Sequence, residues 1–295
     1  MTWYAFMGAI EQGCVYGLMV LGVYLTFRVL DFPDLTVDGS LPLGAAVSAV
    51  AITAGMNPYL SLLVAMAAGF VAGMVTGILN TKFNILHLLA SILTMIALYS
   101  INIRIMGRPN MSLLGKSTIL DPIQRLGLAP SVAAPALFAV IALAAIILLG
   151  WFLHTEFGLA MLATGDNKQM ITSQGVNTHW VIIFGVGLSN ALVALSGAMV
   201  CQDQGAADVN MGIGTIVAGL ASVIIGETIV GDRSINRALI AAVVGSVLYR
   251  LAIALALGMK LGSFSFNPSD LNLITALLVV IALTLPKLRR RWQLR

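Results

Sequence analysis

Few residues in this 295-residue sequence have the types and spacing that chemistry would need. Gly115-Lys116-Ser117-Thr118 matches the end of a phosphate loop, whose backbone amides and lysine would cradle a nucleotide. That motif needs a further glycine at position 110, after a strand and before a helix. The residue there is Asn110, with Pro109 beside it, so no ATP site is expected. His87, His154 and His179 lie in different segments, without the i, i+4 partner or carboxylate motif that zinc binding would need. Ser189 sits in Gly187-Leu188-Ser189-Asn190-Ala191, which lacks the second glycine of a nucleophile elbow. Cys14 and Cys201 fit neither a disulfide framework nor a metal spacing. With no general acid–base pair and no paired nucleophile, the chain reads as a non-enzyme.

The elements that would carry these residues are membrane helices. The chain is 59% hydrophobic and only 9% charged, with a mean hydropathy of +0.97. Soluble domains have about 25% charged residues, so too few charges are present to cover a water-facing surface. A transmembrane helix needs about 20 apolar residues. Candidate helices run at 4–27, 39–56, 59–79, 85–105, 131–153, 179–200, 213–230, 235–258 and 271–286. These runs are continuous, which excludes the alternating strands of a membrane barrel. The expectation is a single all-α polytopic membrane domain over 1–295, with about 9–10 transmembrane helices. The first basic residue is Arg28. A cleavable signal needs positive charge before its apolar core, so the first helix is expected to stay.

The tail Lys287, Arg289, Arg290, Arg291 and Arg295 follows the last apolar run and reads as a cytoplasmic anchor. Alternation then places 28–38, 80–84, 154–178 and 230–234 in the cytoplasm and the amino terminus outside. Inside fall Arg28, Lys82, Lys168, Arg233, Arg237 and the five tail residues. Outside fall Arg104, Arg108, Lys116, Arg125 and Lys260, a bias of ten to five. Most of the outer charge sits in or beside the 106–130 loop, which reads either as solvated or as a docking surface for an acidic partner.

Charges inside spans are costly unless paired or wet. Glu11 and Arg250 each lie about eight residues from the outer end of a span, roughly 12 Å deep at the helical rise. The expectation is an intramembrane ion pair between them, the alternative being that Glu11 faces a watery vestibule. Glu227, near an inner end, is expected to snorkel or to contact the intracellular loop. The stretch 31–44 holds two prolines, two glycines and three acids, and cannot form an uninterrupted lipid-facing helix. Such broken backbone at membrane depth is a transporter feature. Small pairs Gly13/Gly17, Gly69/Gly73 and Gly185/Ser189 allow close helix packing. Gly39 and Gly44 are echoed by Gly214 and Gly219 at an offset of 175, with opposite starting sides, as in an inverted repeat.

The insert 154–178 is too polar to span and long enough for one or two surface helices, with Leu159, Leu162, Met170 and Ile171 as apolar contacts. It contains Phe157-Gly158-Leu159-Ala160, Ala163-Thr164-Gly165-Asp166-Asn167 and Gly175-Val176-Asn177. This pattern resembles the cytoplasmic coupling loop of permease subunits in branched-chain amino acid and ribose-type ABC importers. Gly13 to Gly22, Ala194 to Ala198 and Gly219 to Gly226 also correspond, so the resemblance covers about 8–286. Leu30 to Ser40 and Ala90 to Tyr99 look like the tryptophan/tyrosine-type branch. Leu162 stands where the family often has a basic residue, and Gln169 to Gln174 replaces an alanine-rich run, which leaves the loop's fine contacts open.

The resemblance implies a permease subunit translocating a small solute, an aromatic or branched-chain amino acid. Sugar or nucleoside cargo, or an ion-gradient-driven secondary transporter, are the alternatives. It also implies a ten-helix architecture with an inverted five-plus-five repeat, in a prokaryotic plasma membrane. Implied partners are cytoplasmic ATPases that bind the ATP and magnesium, an extracellular binding protein and a second permease copy. No cofactor is expected in this chain. The coupling residues would be Gly158, Ala160, Ala163, Thr164, Gly165, Asp166, Asn167, Gly175 and Asn177. The solute path would run past Asp38, Ser91, Thr94 and Asn102.

Overall fold

The computed structural model describes residues 3–124 and 130–258, and beyond these only 260, 261, 264, 265 and 280. Helix α1 covers Trp3–Tyr24 and continues through a π turn, Leu25–Val29. α2 (Val37–Thr53), α3 (Pro58–Thr81) and α4 (His87–Met106) follow. After the short α5 (Asp121–Gln124) comes α6 (Pro130–Leu153). The surface helices α7 (Glu156–Asp166) and α8 (Lys168–Ser173) lead to α9 (Thr178–Gln204), α10 (Thr215–Val230) and α11 (Ile235–Gly258). Seven described segments are long and apolar enough to span, and Val37–Thr53 is a shorter apolar helix. Eight of the nine expected spans therefore fall on described helices. The expected span 271–286 and the basic tail lie outside the described residues, apart from residue 280.

Two crossings are broken. The chain reverses at Asp31, which has φ +48°, and rises as irregular backbone before α2 begins at Val37. The break is shorter than the expected 31–44, because Gly39, Pro42 and Gly44 all sit within α2. Pro42 lies inside the helix and leaves the Asp38 carbonyl without its helical amide donor. That carbonyl packs closely against Gly212, where a Cβ would collide with it. The second break follows α9. Strand β2 (Ala206–Asp208) pairs antiparallel with β1 (Asn110–Ser112), and a 3-10 turn, Val209–Gly212, leads to Gly214 and α10. The segments joining these helices thus carry a small strand pair among the mostly helical described residues.

The two breaks sit inside the bundle. Asp34 accepts from Asn190 Nδ2 at 2.7 Å and from the Thr36 amide at 2.9 Å. Ser40 donates to Asn190 Oδ1 at 2.7 Å. Asn190 is twelve residues from Thr178 and fourteen from Gln204, the middle of α9. From there α2 runs to Thr53, whose carbonyl accepts from Lys116 in the segment between α4 and α5. α10 starts beside Asp38 and runs the other way, to Glu227, which pairs with Arg28 at the far end of α1.

This antiparallel placement of like elements is an inverted repeat. The spans Trp3–Val29 and Thr178–Gln204 each have 27 residues, 178 less 3 giving an offset of 175. α2 and α10 start 178 apart, and α3 and α11 start 177 apart. The packing repeats too. Gly13 and Gly17 of α1 face Val247 and Val243 of α11, while Gly69 and Gly73 of α3 face Asn190, Ala194 and Val186 of α9. Serines reinforce these seams: Ser189 donates to the Gly22 carbonyl and Ser246 to that of Gly13. A counterpart of α4 at the same offset would begin at residue 262, among residues not described. α6 has no counterpart among the described residues. Three elements of each copy are seen rather than five, and no tenth crossing is found among the described residues. Trp3 begins α1 at the end of the bundle opposite α7, which packs on Val29.

Candidate functional site

The first site feature is the junction of the two broken crossings. Asp38 stands in the first turn of α2, and its carboxylate caps the start of α10. Oδ1 accepts from the Ile216 amide at 2.8 Å and from Thr215 Oγ1 at 2.9 Å; Oδ2 accepts from the Gly214 amide at 3.1 Å. Orphan amides at a helix N-terminus attract an anion. Here the protein's own carboxylate fills that role, and the helix dipole compensates a charge that would otherwise be costly within the bilayer.

Beside this junction lies a cavity of about 370 Å³. Asp38, Gly39 and Pro42 of α2 form one wall, and Val209 and Ile213 of the second break another. The third is α4, through Met95, Ile96, Tyr99, Ser100 and Asn102. Asn102 is fully buried. Its Nδ2 donates to the Gly39 carbonyl at 3.2 Å, while its Oδ1 has no hydrogen-bond partner. Of the four expected path residues, Asp38 and Asn102 therefore meet at one cavity. Ser91 and Thr94 do not reach it. Ser91 donates to the Leu88 carbonyl at 2.9 Å and Thr94 to the Ala90 carbonyl at 3.0 Å, both within their own helix. Thr94 instead edges an apolar cleft between α3 and α4.

The second feature is the pair of helices α7 and α8. Thr155 caps α7 by accepting from the Gly158 amide, and Asn167 caps α8 by accepting from the Met170 amide at 2.9 Å. Gly175, with φ +87°, ends the insert, and Asn177 caps α9 through the His179 amide at 3.2 Å. The insert thus folds by its own capping residues. One face packs inward: Gly158 sits against the Phe152 carbonyl, Gly165 against that of Val29, and Thr164 is buried. Leu162 and Ile171 pack from this face, and Ala160 and Ala163 are half-buried. The other face is open, with Leu159, Met170, Asp166, Asn167, Gly175 and Asn177 exposed. The nine expected coupling residues therefore divide between bracing the insert and presenting it.

Gly165 links this insert to the π turn that carries Arg28. Arg28 Nε donates to Glu227 Oε1 at 2.8 Å, and Nη2 contacts Oε2. Sequence reading expected Glu227 to snorkel or meet the intracellular loop, and missed this partner.

The expected ion pair between Glu11 and Arg250 is not formed. The guanidinium of Arg250 lies over the Tyr16 ring, 3.8 Å from its centroid. Glu11 lies instead beside the carboxyl group of Asp203 of α9. Counting residues along a span fixes depth, but a helix at a given depth presents its side chains all round. The Tyr16 ring, little more than a turn along α1 from Glu11, takes the cation instead.

Comparison with known proteins places these features in context. Residues 6–284 match the family model described as the permease component of the branched-chain amino acid transport system. A tyrosine transport system permease protein of Clostridioides difficile (strain R20291) is 42% identical over 274 residues, covering 93% of this chain and 88% of that protein. The galactofuranose transporter permease protein YtfT of Escherichia coli (strain K12) is 25% identical, covering 95% and 79%. Among solved structures, PsaBC from Streptococcus pneumoniae in complex with Fab aligns with a TM-score of 0.53 at 18% identity. That alignment covers 96% of this chain and 91% of the other, and shows a shared fold.

Proposed function

The chain belongs to the family of permease components of branched-chain amino acid transport systems, and from that premise we propose how it works. It is a multi-pass transport permease, and in our reading one of two copies in an ATP-binding-cassette importer for an aromatic amino acid. The single observation that carries this reading is the insert α7–α8, braced at Gly165 against the Val29 carbonyl and open on its other side. Such an element transmits force only if a separate polypeptide pushes it. Cytoplasmic ATPases, holding ATP and magnesium, would supply that push, and an extracellular binding protein would deliver the solute. The chain would lie in a prokaryotic plasma membrane with its basic tail in the cytoplasm.

The geometry suggests the route of the motion. Displacing α7 presses on the π turn of α1, and Arg28 hands that displacement to Glu227 of α10. The other end of α10 is held by Asp38 at the cavity. A ligand shifts such a system only by its differential affinity for two states. ATP and the loaded binding protein must each favour one of them. The 42% identity to a tyrosine transport permease supports aromatic cargo.

The test is uptake by proteoliposomes holding the permease, its co-purifying ATPase and the binding protein. ATP-dependent accumulation of tyrosine or tryptophan is expected. Accumulation by the permease alone under a proton or sodium gradient would overturn the energy source. Uptake of a sugar in preference to any amino acid would overturn the cargo.

A further inference from the structure

We propose that the segment between α4 and α5 is where a solute-loaded binding protein engages the permease, with the exposed Leu114 as its anchor, and that the strand pair β1–β2 carries that contact to the cavity wall. The inference rests on the reading above and names where its extracellular partner acts. Helix α9 sets the geometry. Its Asn177 end adjoins the α7–α8 insert, and its Gln204 end adjoins β2. At about 1.5 Å per residue, its 27 residues hold the two ends roughly 40 Å apart. With ATPases pushing at the insert, the strand pair lies at the face where the solute arrives.

This segment is strapped down on both sides of a raised tip. The ladder runs from the Pro109 carbonyl, which accepts from the Val209 amide at 3.0 Å, to the Leu113 amide, which donates to the Gly205 carbonyl at 2.8 Å. Leu113 and Ile119 are buried, and the Ile119 amide donates to Gln202 Oε1 at 3.0 Å. Between these anchors the Lys116 amide donates to the Leu113 carbonyl, closing a turn that leaves Leu114 92% exposed. A large apolar side chain held out on a pre-formed turn loses little freedom on binding, which favours a protein partner. Arg104, in the last turn of α4, and Arg108, just before β1, are exposed and have no ion pair among the described residues. The partner's surface should therefore carry carboxylates around an apolar recess.

From the tip the path inward is short. The Asp208 carboxylate, at the end of β2, accepts from the Asn210 amide at 2.7 Å and from Asn110 Nδ2 of β1 at 3.3 Å. It thus ties both strands to the 3-10 turn. Val209 and Ile213, at the two ends of that turn, line the cavity, and Gly212 packs on the Asp38 carbonyl. A displaced β1 therefore moves the cavity wall.

The experiment uses the complete importer in nanodiscs and the purified binding protein that supports its ATP-driven uptake. The readouts are the Kd between the two and the stimulation of ATP hydrolysis by the loaded binding protein. Leu114→Asp and Arg108→Glu should each weaken binding by about tenfold or more, the loss expected at the centre of an interface. Asp208→Ala should keep the Kd but lose most of the stimulation. Asp208→Asn, which retains an acceptor for the Asn210 amide, should restore it. An unchanged Kd in both tip variants overturns the contact, including the case in which Leu114 rests on lipid headgroups. Full stimulation in Asp208→Ala overturns the path through the strands. Should that variant fail to fold, a disulfide between Ser112→Cys and Ala206→Cys, which face each other in register, gives a second reading. Strands that move as one unit keep the stimulation when cross-linked, and a loss reversed by reductant overturns the path. If no binding protein supports uptake, the importer reading falls and the contact with it. If uptake needs a binding protein and both tip variants match the wild type, the contact falls alone.

Discussion

Asp38 and Thr215, 177 residues apart in sequence, are joined by a hydrogen bond of 2.9 Å from the threonine hydroxyl to the carboxylate. This bond ties the starts of two short helices that leave the bundle's interior in opposite directions. Replacing Asp38 with Ala should remove a helix cap, a loss of about 0.5–2 kcal/mol, seen as a lower midpoint of thermal unfolding in detergent. Uptake should fall by about twofold to thirtyfold if that loss is felt in positioning, since about 1.4 kcal/mol is tenfold. Asp38→Asn keeps one carbonyl acceptor and should fall between. Wild-type uptake by Asp38→Ala would show that the junction is not needed for transport.

Arg28 and Glu227 form the one ion pair among the described residues. Arg28 is exposed, so the pair is screened and its contribution to stability is about 0–1 kcal/mol. Its proposed role is mechanical. Arg28→Glu should reduce ATP-driven uptake, and the exchanged double variant Arg28→Glu with Glu227→Arg should recover much of it. A double variant no better than the worse single one would argue that the two residues act separately.

Gly165 leaves no room for a side chain against the Val29 carbonyl. Gly165→Glu should lift α7 from the π turn and uncouple transport while membrane insertion stays intact. The measurement is the ratio of solute moved to ATP hydrolysed, which should drop sharply. An unchanged ratio would count against the insert as transmission element.

Gly44 and Gly197 make backbone-to-backbone contacts, Gly44 with Ala194 and Gly197 with the Leu41 carbonyl. Gly44→Leu and Gly197→Leu should each cost at least the roughly 1–3 kcal/mol of ordinary overpacking, because the obstructing atoms are backbone and cannot rotate away. Gly8→Ala meets nothing within 4 Å and serves as the neutral control. The readout is the yield of monodisperse protein and its unfolding midpoint.

Topology is open to direct labelling, since the cysteines of the protein, Cys14 and Cys201, are buried. A cysteine at Leu114, 92% exposed in the outer loop, should react in intact cells with a membrane-impermeant maleimide. A cysteine at Asn167 should react only after permeabilisation. The reverse pattern would invert the whole assignment.

Much of this molecule can be read from one dimension. Hydropathy runs locate the seven described spans and the shorter Val37–Thr53 because a helix in lipid must be apolar along its own length, a local requirement. The polar insert at 154–178 and its capping residues Thr155, Asn167 and Asn177 are likewise local, and so is the echo of Gly39 in Gly214. What the chain order could not express is rotation. Glu11 and Arg250 share a depth, yet one meets Asp203 and the other Tyr16. Ser91 and Asn102 share a helix, yet only Asn102 reaches the cavity. Depth follows from counting residues along an axis, whereas the partner of a buried polar group depends on how two helices are turned about theirs. That turning is settled by glycine contacts between segments far apart in sequence, and so it belongs to the tertiary structure.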